Sequence, residues 1–177
     1  EAGGCLGNDI LIRGFAQAAS QGLDARLVLI DREGSPDQQI AKELIEGLGI
    51  SNRVVWLSAG TSAGFTWREM ADLYRECDIA VSTFSGWTGL ITLEAAASGK
   101  PVITRVEEDA MEWLYPEGHP LVQAGNEQEV CDAILWLANS EVRRSVGESS
   151  RQWILNHHDR GLVARRCESM LAGLGFV

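Results

Sequence analysis

No stretch of this sequence is apolar for long enough to cross a bilayer, and none has a signal-peptide pattern. An excess of positive charge is missing too. The formal net charge is -10, whereas a protein that grips duplex nucleic acid or an anionic membrane is usually basic. Nucleic acid is therefore not expected as a partner. An anionic ligand would have to be held by local backbone dipoles and a few Arg or Lys side chains. Cys5, Cys77, Cys131 and Cys167 are scattered, with no CxxC or His-x-Cys spacing, so no metal is implied. They read as reduced, partly buried thiols of a cytoplasmic protein. No internal repeat, low-complexity tract or linker interrupts the chain. Its 177 residues suit one domain with a real core, so residues 1–177 are read as a single domain. The chain starts at Glu1 without Met, which points to a piece of something longer.

What is present is an alternation of short apolar runs with amphipathic stretches. Arg26–Ile30 (RLVLI), Arg53–Leu57 (RVVWL), Ile79–Ser82 (IAVS) and Pro101–Thr104 (PVIT) have the length of buried strands. Pro120–Ala124 is a fifth, also short. Between them the spacing predicts helices. The first starts at Asn8 or Asp9 as N-cap and runs to Ser20. The second runs from Asp37 to Leu48, with Ile40, Leu44, Ile45 and Leu48 as its apolar stripe. The third is capped by Thr66 and ends near Cys77, with Met70, Leu73 and Tyr74 inward. Later helices are expected from Leu90, within Arg105–Tyr115, after Asn126, over Glu141–Asn156 and over Gly161–Leu174, the last amphipathic. Continuously apolar strands that alternate with helices imply an α/β fold: a Rossmann-like parallel sheet covered by helices on both faces. Ligands of such sheets bind at the carboxyl ends of the strands. The loops there are Asp31–Pro36, Ser58–Gly64, Phe84–Gly89 and Arg105–Asp109.

The stretch Asp78–Thr104 is the most informative. It reads as strand, glycine loop, helix, strand. Ser85-Gly86-Trp87-Thr88-Gly89 has two residues free to take positive φ. Leu90, Leu93 and Ala97 share one face of the helix that follows. Gly99 ends that helix, with Lys100 near its negative end. A helix start offers free N–H groups and a partial positive charge, and glycine lets a phosphate approach them. Glu94, one turn in, can accept hydrogen bonds from sugar hydroxyls. By spacing alone, an ordinary helix start with a solvent-facing Glu accounts for the same residues.

GNDILIRGFAQA, LDARLVLI, LIEGLGISNRVVWL, LYRECDIAVS, GLITLEAAASGKPVIT and SEVRRSVGESSRQWI occur in this order. Together they resemble the C-terminal domain of family-four (group 1) glycosyltransferases of the GT-B fold. The resemblance covers nearly the whole chain and is most specific at GLITLEAAASGKPVIT. It implies a domain that binds the donor, a nucleotide-sugar such as a UDP- or GDP-sugar. Transfer is then to an acceptor sugar, lipid or glycan with retention, with no metal or other cofactor. An N-terminal acceptor domain would be absent from this chain, so the isolated domain is expected to be inactive. The resemblance implies a cytoplasmic protein, with membrane-peripheral association in the full-length form.

Residue by residue, the resemblance makes Glu94 the ribose ligand. Gly89, Leu90, Ile91 and Thr92 become the phosphate-binding turn, and the loop starting at Ser58 lies against the base. Three departures stand out. Gly86 falls where the family carries a Glu near the transferred sugar. Leu6 falls where it carries a phosphate-binding Lys. The family's first strand, with its Arg, has no counterpart before Glu1. Gly86 and Leu6 favour an alternative: a non-catalytic nucleotide-sugar binding or interaction module. A nucleotide-sugar epimerase is a third reading, but it needs acid–base groups that Gly86 does not supply.

Other residues carry weaker signals. Arg32 and Arg105 follow strands at the carboxyl edge and either reach a phosphate or sit solvated. Glu107, Glu108 and Asp109 read as a solvated acidic loop. His119 and the His157-His158 pair have no carboxylate or nucleophile nearby in sequence. Trp87 either stacks on a ligand or covers the core. Ser98 and Thr92 have no base partner to make them nucleophiles.

Overall fold

The computed structural model describes residues 7–31, 36–59 and 64–174. Arg32, Leu6 and Cys5, together with most of the loops after Asp31 and Ser58, lie outside the described residues.

In chain order the elements are α1 (Asn8–Ser20), β1 (Leu27–Asp31), α2 (Pro36–Gly47), β2 (Val54–Ser58), α3 (Trp67–Glu76), β3 (Ala80–Val81), α4 (Leu90–Ala97), β4 (Val102–Thr104), α5 (Glu108–Leu114), β5 (Val122–Gln123), α6 (Glu127–Leu137), α7 (Ser140–His157) and α8 (Arg160–Gly173). Every strand pairing is parallel. β1 lies against β2 with Leu27 opposite Val54, and β4 lies between β3 and β5 with Ile103 opposite Val122. The expected single sheet is two sheets, ordered β1-β2 and β3-β4-β5, and among the described residues no ladder joins β1 to β3. In the doubly wound order 3-2-1-4-5-6, the strand that precedes the first helix lies in that interval. The described residues place none there.

Successive residues of β4 show how the layers form. Ile103 is fully buried against α1 and α6, in a cluster with Ile12, Phe15, Val130, Ile134 and Leu137. Val102, one residue earlier, points to the other face and packs with Tyr74, Ala95, Ala96, Met111 and Trp153. Side chains alternate across a strand, so only a sheet covered on both faces buries both. Each large aliphatic side chain so buried contributes about 1.5–3 kcal/mol.

Several helix details depart from the pattern in the sequence. Neither Asn8 nor Asp9 caps α1. The N-cap is Gly7 at φ 84°, with no side-chain bond, and Phe84 fills the space where a Cβ at Gly7 would stand. In α2 only Ile45 is buried and Ile40 is exposed. Arg53 is not in β2; it ends a 3-10 turn, Ser51–Arg53, and donates from Nη1 to Leu23 C=O at 2.7 Å. In α4 the buried residues are Thr92, Ala95 and Ala96, while Leu90 and Ala97 are exposed. The last helix, α8, buries no residue. By contrast, Thr66 caps α3 in a reciprocal box with Glu69, and Asn126 caps α6 as the sequence suggests.

Glycine decides how closely α4 and α7 meet. A Cβ at Gly147 would collide with the backbone C=O of Gly99. Gly99, at φ 73°, closes α4 in a Schellman turn: its N–H reaches Ala96 C=O, and Lys100 N–H reaches Ala95 C=O at 3.1 Å. The Lys100 ammonium does not serve α4. It donates to Arg75 C=O, in the last turn of α3, at 2.8 Å.

Candidate functional site: the start of α4

The carboxyl ends of β3 and β4 and the first turn of α4 are tied together by buried hydroxyls. Thr104 Oγ1 donates to Thr83 C=O at 2.7 Å. Thr92 Oγ1 donates to Ser82 Oγ at 2.8 Å, and both residues are buried. The intervening loop is pinned to the chain after β4. Gly86 forms a parallel bridge with Val106, and Glu107 N–H donates to Gly86 C=O at 2.9 Å. The loop therefore presents α4 from a rigid base.

Gly86 takes φ 90°, as the sequence allows. Gly89 does not use that freedom. It is the N-cap of α4 in extended backbone, φ -101°, with no side-chain bond to the helix. A Cβ built at Gly89 would have nothing within 4 Å. What glycine supplies there is open approach. The first intrahelical bond runs from Leu93 N–H to Gly89 C=O at 3.4 Å. The N–H groups of Leu90, Ile91 and Thr92 precede it and lack an intrahelical acceptor. With the helix dipole behind them they form a ready anion site. Trp87, Leu90 and Ile91 expose their apolar side chains around this point. Trp87 thus does not cover the core.

Glu94 is exposed and lies one turn further along α4. Its Oε2 accepts a hydrogen bond from the Tyr74 hydroxyl at 3.3 Å. Burial, with the Glu94 charge second, pushes the Tyr74 phenol well above its ordinary value, so it remains a donor at neutral pH. The bond orients the carboxylate and leaves Oε1 for another donor. The sequence shows Tyr74 only as an inward residue of α3; its reach to Glu94 depends on how α3 packs on α4.

The remaining candidates divide clearly. The Thr92 hydroxyl is fully buried in the Ser82 bond, so only its N–H faces the helix start. Ser58 ends β2 at the same carboxyl edge of its own sheet. Arg105 is exposed at the end of β4 and pairs with Glu107, Nη2 to Oε1, at 3.3 Å. The acidic run separates. Glu107 turns toward Gly86, while Glu108 bonds Gln123 and pairs with His119 at 3.4 Å. His157 and His158 belong to an aromatic cluster with Tyr115 and Trp153, and Tyr115 Oη and His158 Nε2 share a hydrogen bond of 3.0 Å. A cavity of about 430 Å³ near His119 is lined by Glu108, Glu112, Tyr115, Leu121 and Gln123, and includes no residue of the α4 start.

Residues 6–140, a span that contains the whole α4 start, match the family model described as glycosyl transferases group 1. The chain belongs to this glycosyltransferase family. Among curated proteins, this glycosyltransferase domain is 30% identical over 156 residues to a D-inositol 3-phosphate glycosyltransferase of Corynebacterium aurimucosum. That match covers 81% of the chain and 35% of the relative. Among solved structures, it is similar to Anabaena Alr3699/HepE in complex with UDP-glucose. The TM-score is 0.73 at 19% identity, over 94% of this chain and 45% of that one. It is also similar to the C-terminal domain of a glycosyl transferase group 1 family protein from Francisella tularensis. There the TM-score is 0.68 at 20% identity, over 87% of this chain and 80% of that one. The fold is that of the GT-B glycosyltransferases, consistent with a C-terminal domain. This domain spans about a third of the curated relative's length. Among the described residues no helix is long and apolar enough to cross a membrane.

Proposed function

We propose that this domain holds the nucleotide-sugar donor of a glycosyltransferase, with its diphosphate on the first turn of α4. The observation that carries the reading is the open, uncapped helix start at Gly89, with the Glu94 carboxylate one turn away. The UDP-glucose in the Anabaena relative supports a nucleotide-sugar as the ligand class. The N–H groups of Leu90, Ile91 and Thr92 accept the diphosphate. Glu94, steadied by Tyr74, accepts from the ribose hydroxyls. The Ser58 end of β2, at the carboxyl edge of its own sheet, is assigned to the base.

On this reading the catalytic contribution is electrostatic. As the glycosidic bond to the diphosphate breaks, negative charge grows on the leaving oxygen. Fixed N–H dipoles at the helix start stabilise it without reorganising. The reading calls on no metal or other cofactor. The acceptor sits on a further domain, transfer proceeds with retention, and residues 1–177 alone do not turn over, because donor and acceptor must be held together.

Calorimetric titration of UDP, GDP and their sugar conjugates tests the reading. Saturable binding of one nucleotide class supports it, and no binding of any overturns it. Gly86 favours a second reading, in which the domain binds nucleotide-sugar but serves no chemistry. That version expects donor binding with neither transfer nor donor hydrolysis by the full-length protein.

A further inference from the structure

Position 86 has no side chain, yet the space beside it holds a carboxylate. A Cβ built on Gly86 would lie 3.0 Å from Glu107 Oε1 and 3.2 Å from Glu107 Cγ. The Glu107 N–H bond to Gly86 C=O, 2.9 Å, fixes the two backbones together. The Glu107 carboxylate thus occupies the volume that a side chain at position 86 would claim. It reaches it from the connection after β4 instead of from the loop before α4.

This carboxylate is not consumed by the fold. Its side chain is 58% exposed, and Arg105 Nη2 contacts only Oε1, at 3.3 Å. Among the described residues Oε2 accepts no hydrogen bond. The next acid in the run, Glu108, is turned away to Gln123 and His119. Glu94 and Glu107 therefore belong to different surroundings, the one on α4 itself and the other beside the loop that leads into it. Glu94 lies against Tyr74 of α3, and Glu107 lies against the loop at Gly86. A carboxylate repels a further anion and accepts hydrogen bonds, so on a nucleotide-sugar the groups it can take are the sugar hydroxyls.

We propose that Glu107 is the contact for the sugar carried by the donor, accepting from its hydroxyls through the free oxygen, while the paired Arg105 offsets its charge beside the diphosphate. The proposal rests on the donor-site reading above. It replaces the absent side chain at Gly86 with one from a different connection, which makes that glycine compatible with an active site.

The test is a pair of affinities. Wild type and Glu107→Gln are titrated with UDP and UDP-glucose, and with GDP and GDP-mannose, and the pair that binds wild type is followed. Glu107→Gln is expected to lose roughly tenfold in affinity for the nucleotide-sugar, the scale of one hydrogen bond to a charged group. Its affinity for the parent diphosphate stays the same or tightens, because a negative charge has left the site. An unchanged nucleotide-sugar affinity overturns the proposal, as does an equal loss for both ligands. If wild type binds none of the four, the donor-site reading falls, and this proposal with it.

Discussion

The Thr92 hydroxyl donates to the Ser82 hydroxyl at 2.8 Å, with both residues buried between β3 and the first turn of α4. The bond holds the helix start over the end of the strand. Thr92→Val keeps the shape and the backbone N–H but leaves Ser82 without its partner. The expected outcome is a loss of about 1–3 kcal/mol in unfolding free energy, measured by urea titration. Nucleotide affinity per folded molecule should stay close to wild type, because the hydroxyl does not face the ligand. A loss of affinity with no loss of stability would make Thr92 a ligand contact through its side chain.

Gly147 sets the distance between α7 and α4. Its missing Cβ makes room for Gly99 C=O, which is backbone and cannot rotate away. Gly147→Ala gains helix propensity but forces the helices apart. A net destabilisation of about 1–3 kcal/mol is expected from overpacking. A stabilised variant in thermal melts would contradict the close approach.

Much of this fold can be read in the sequence where an apolar run is covered on both sides, as in β4, and less where it is not, as in β1, whose Val28 and Ile30 stay exposed. Val102 and Ile103 face opposite layers, as a doubly covered strand requires. The Thr66 and Asn126 caps follow from residue type and spacing. The buried face of α4 does not follow. Small residues pack against the sheet and α7, so Ala95 and Ala96 are buried while Leu90 is exposed, contrary to rank by hydrophobicity. In the candidate site, Gly89 and Glu94 come from the family resemblance, since their spacing also fits an ordinary helix start. Neither spacing nor resemblance points to Tyr74 or Glu107: Tyr74 meets Glu94 from α3 and Glu107 meets Gly86 from the chain after β4, contacts that only packing makes.

Two side chains give opposite pH signatures. Burial, with His157 and then Arg166 adding to it, holds the His158 imidazole below its ordinary value. The folded state then binds fewer protons than the unfolded one, so stability is present above the unfolded value, about 6.5, and falls as pH drops below it. His158→Gln should flatten the fall in melting temperature between about pH 6.5 and 5. An unchanged slope would show that His158 titrates freely.

Tyr74 runs the other way. Its phenol is raised by burial and by Glu94, so the folded state retains a proton that the unfolded state loses. Stability is intact below the unfolded value, about 10, and declines as pH rises beyond it. Tyr74→Phe should remove that part of the alkaline decline, measured by melting temperature across the alkaline limb. It should also weaken nucleotide binding, because Glu94 loses its hydrogen-bond partner.

On the proposed function, the start of α4 holds a donor diphosphate and Glu94 the ribose. Amide-resolved NMR titration of a nucleoside diphosphate into wild type and Glu94→Gln tests it most directly. In wild type the amides of Gly89, Leu90, Ile91 and Thr92 are expected to shift together. Glu94→Gln is expected to keep the fold and weaken binding by roughly 1–2 kcal/mol, since a neutral acceptor replaces a charged one. Shifts confined to other residues, or equal affinity in the two proteins, would contradict it.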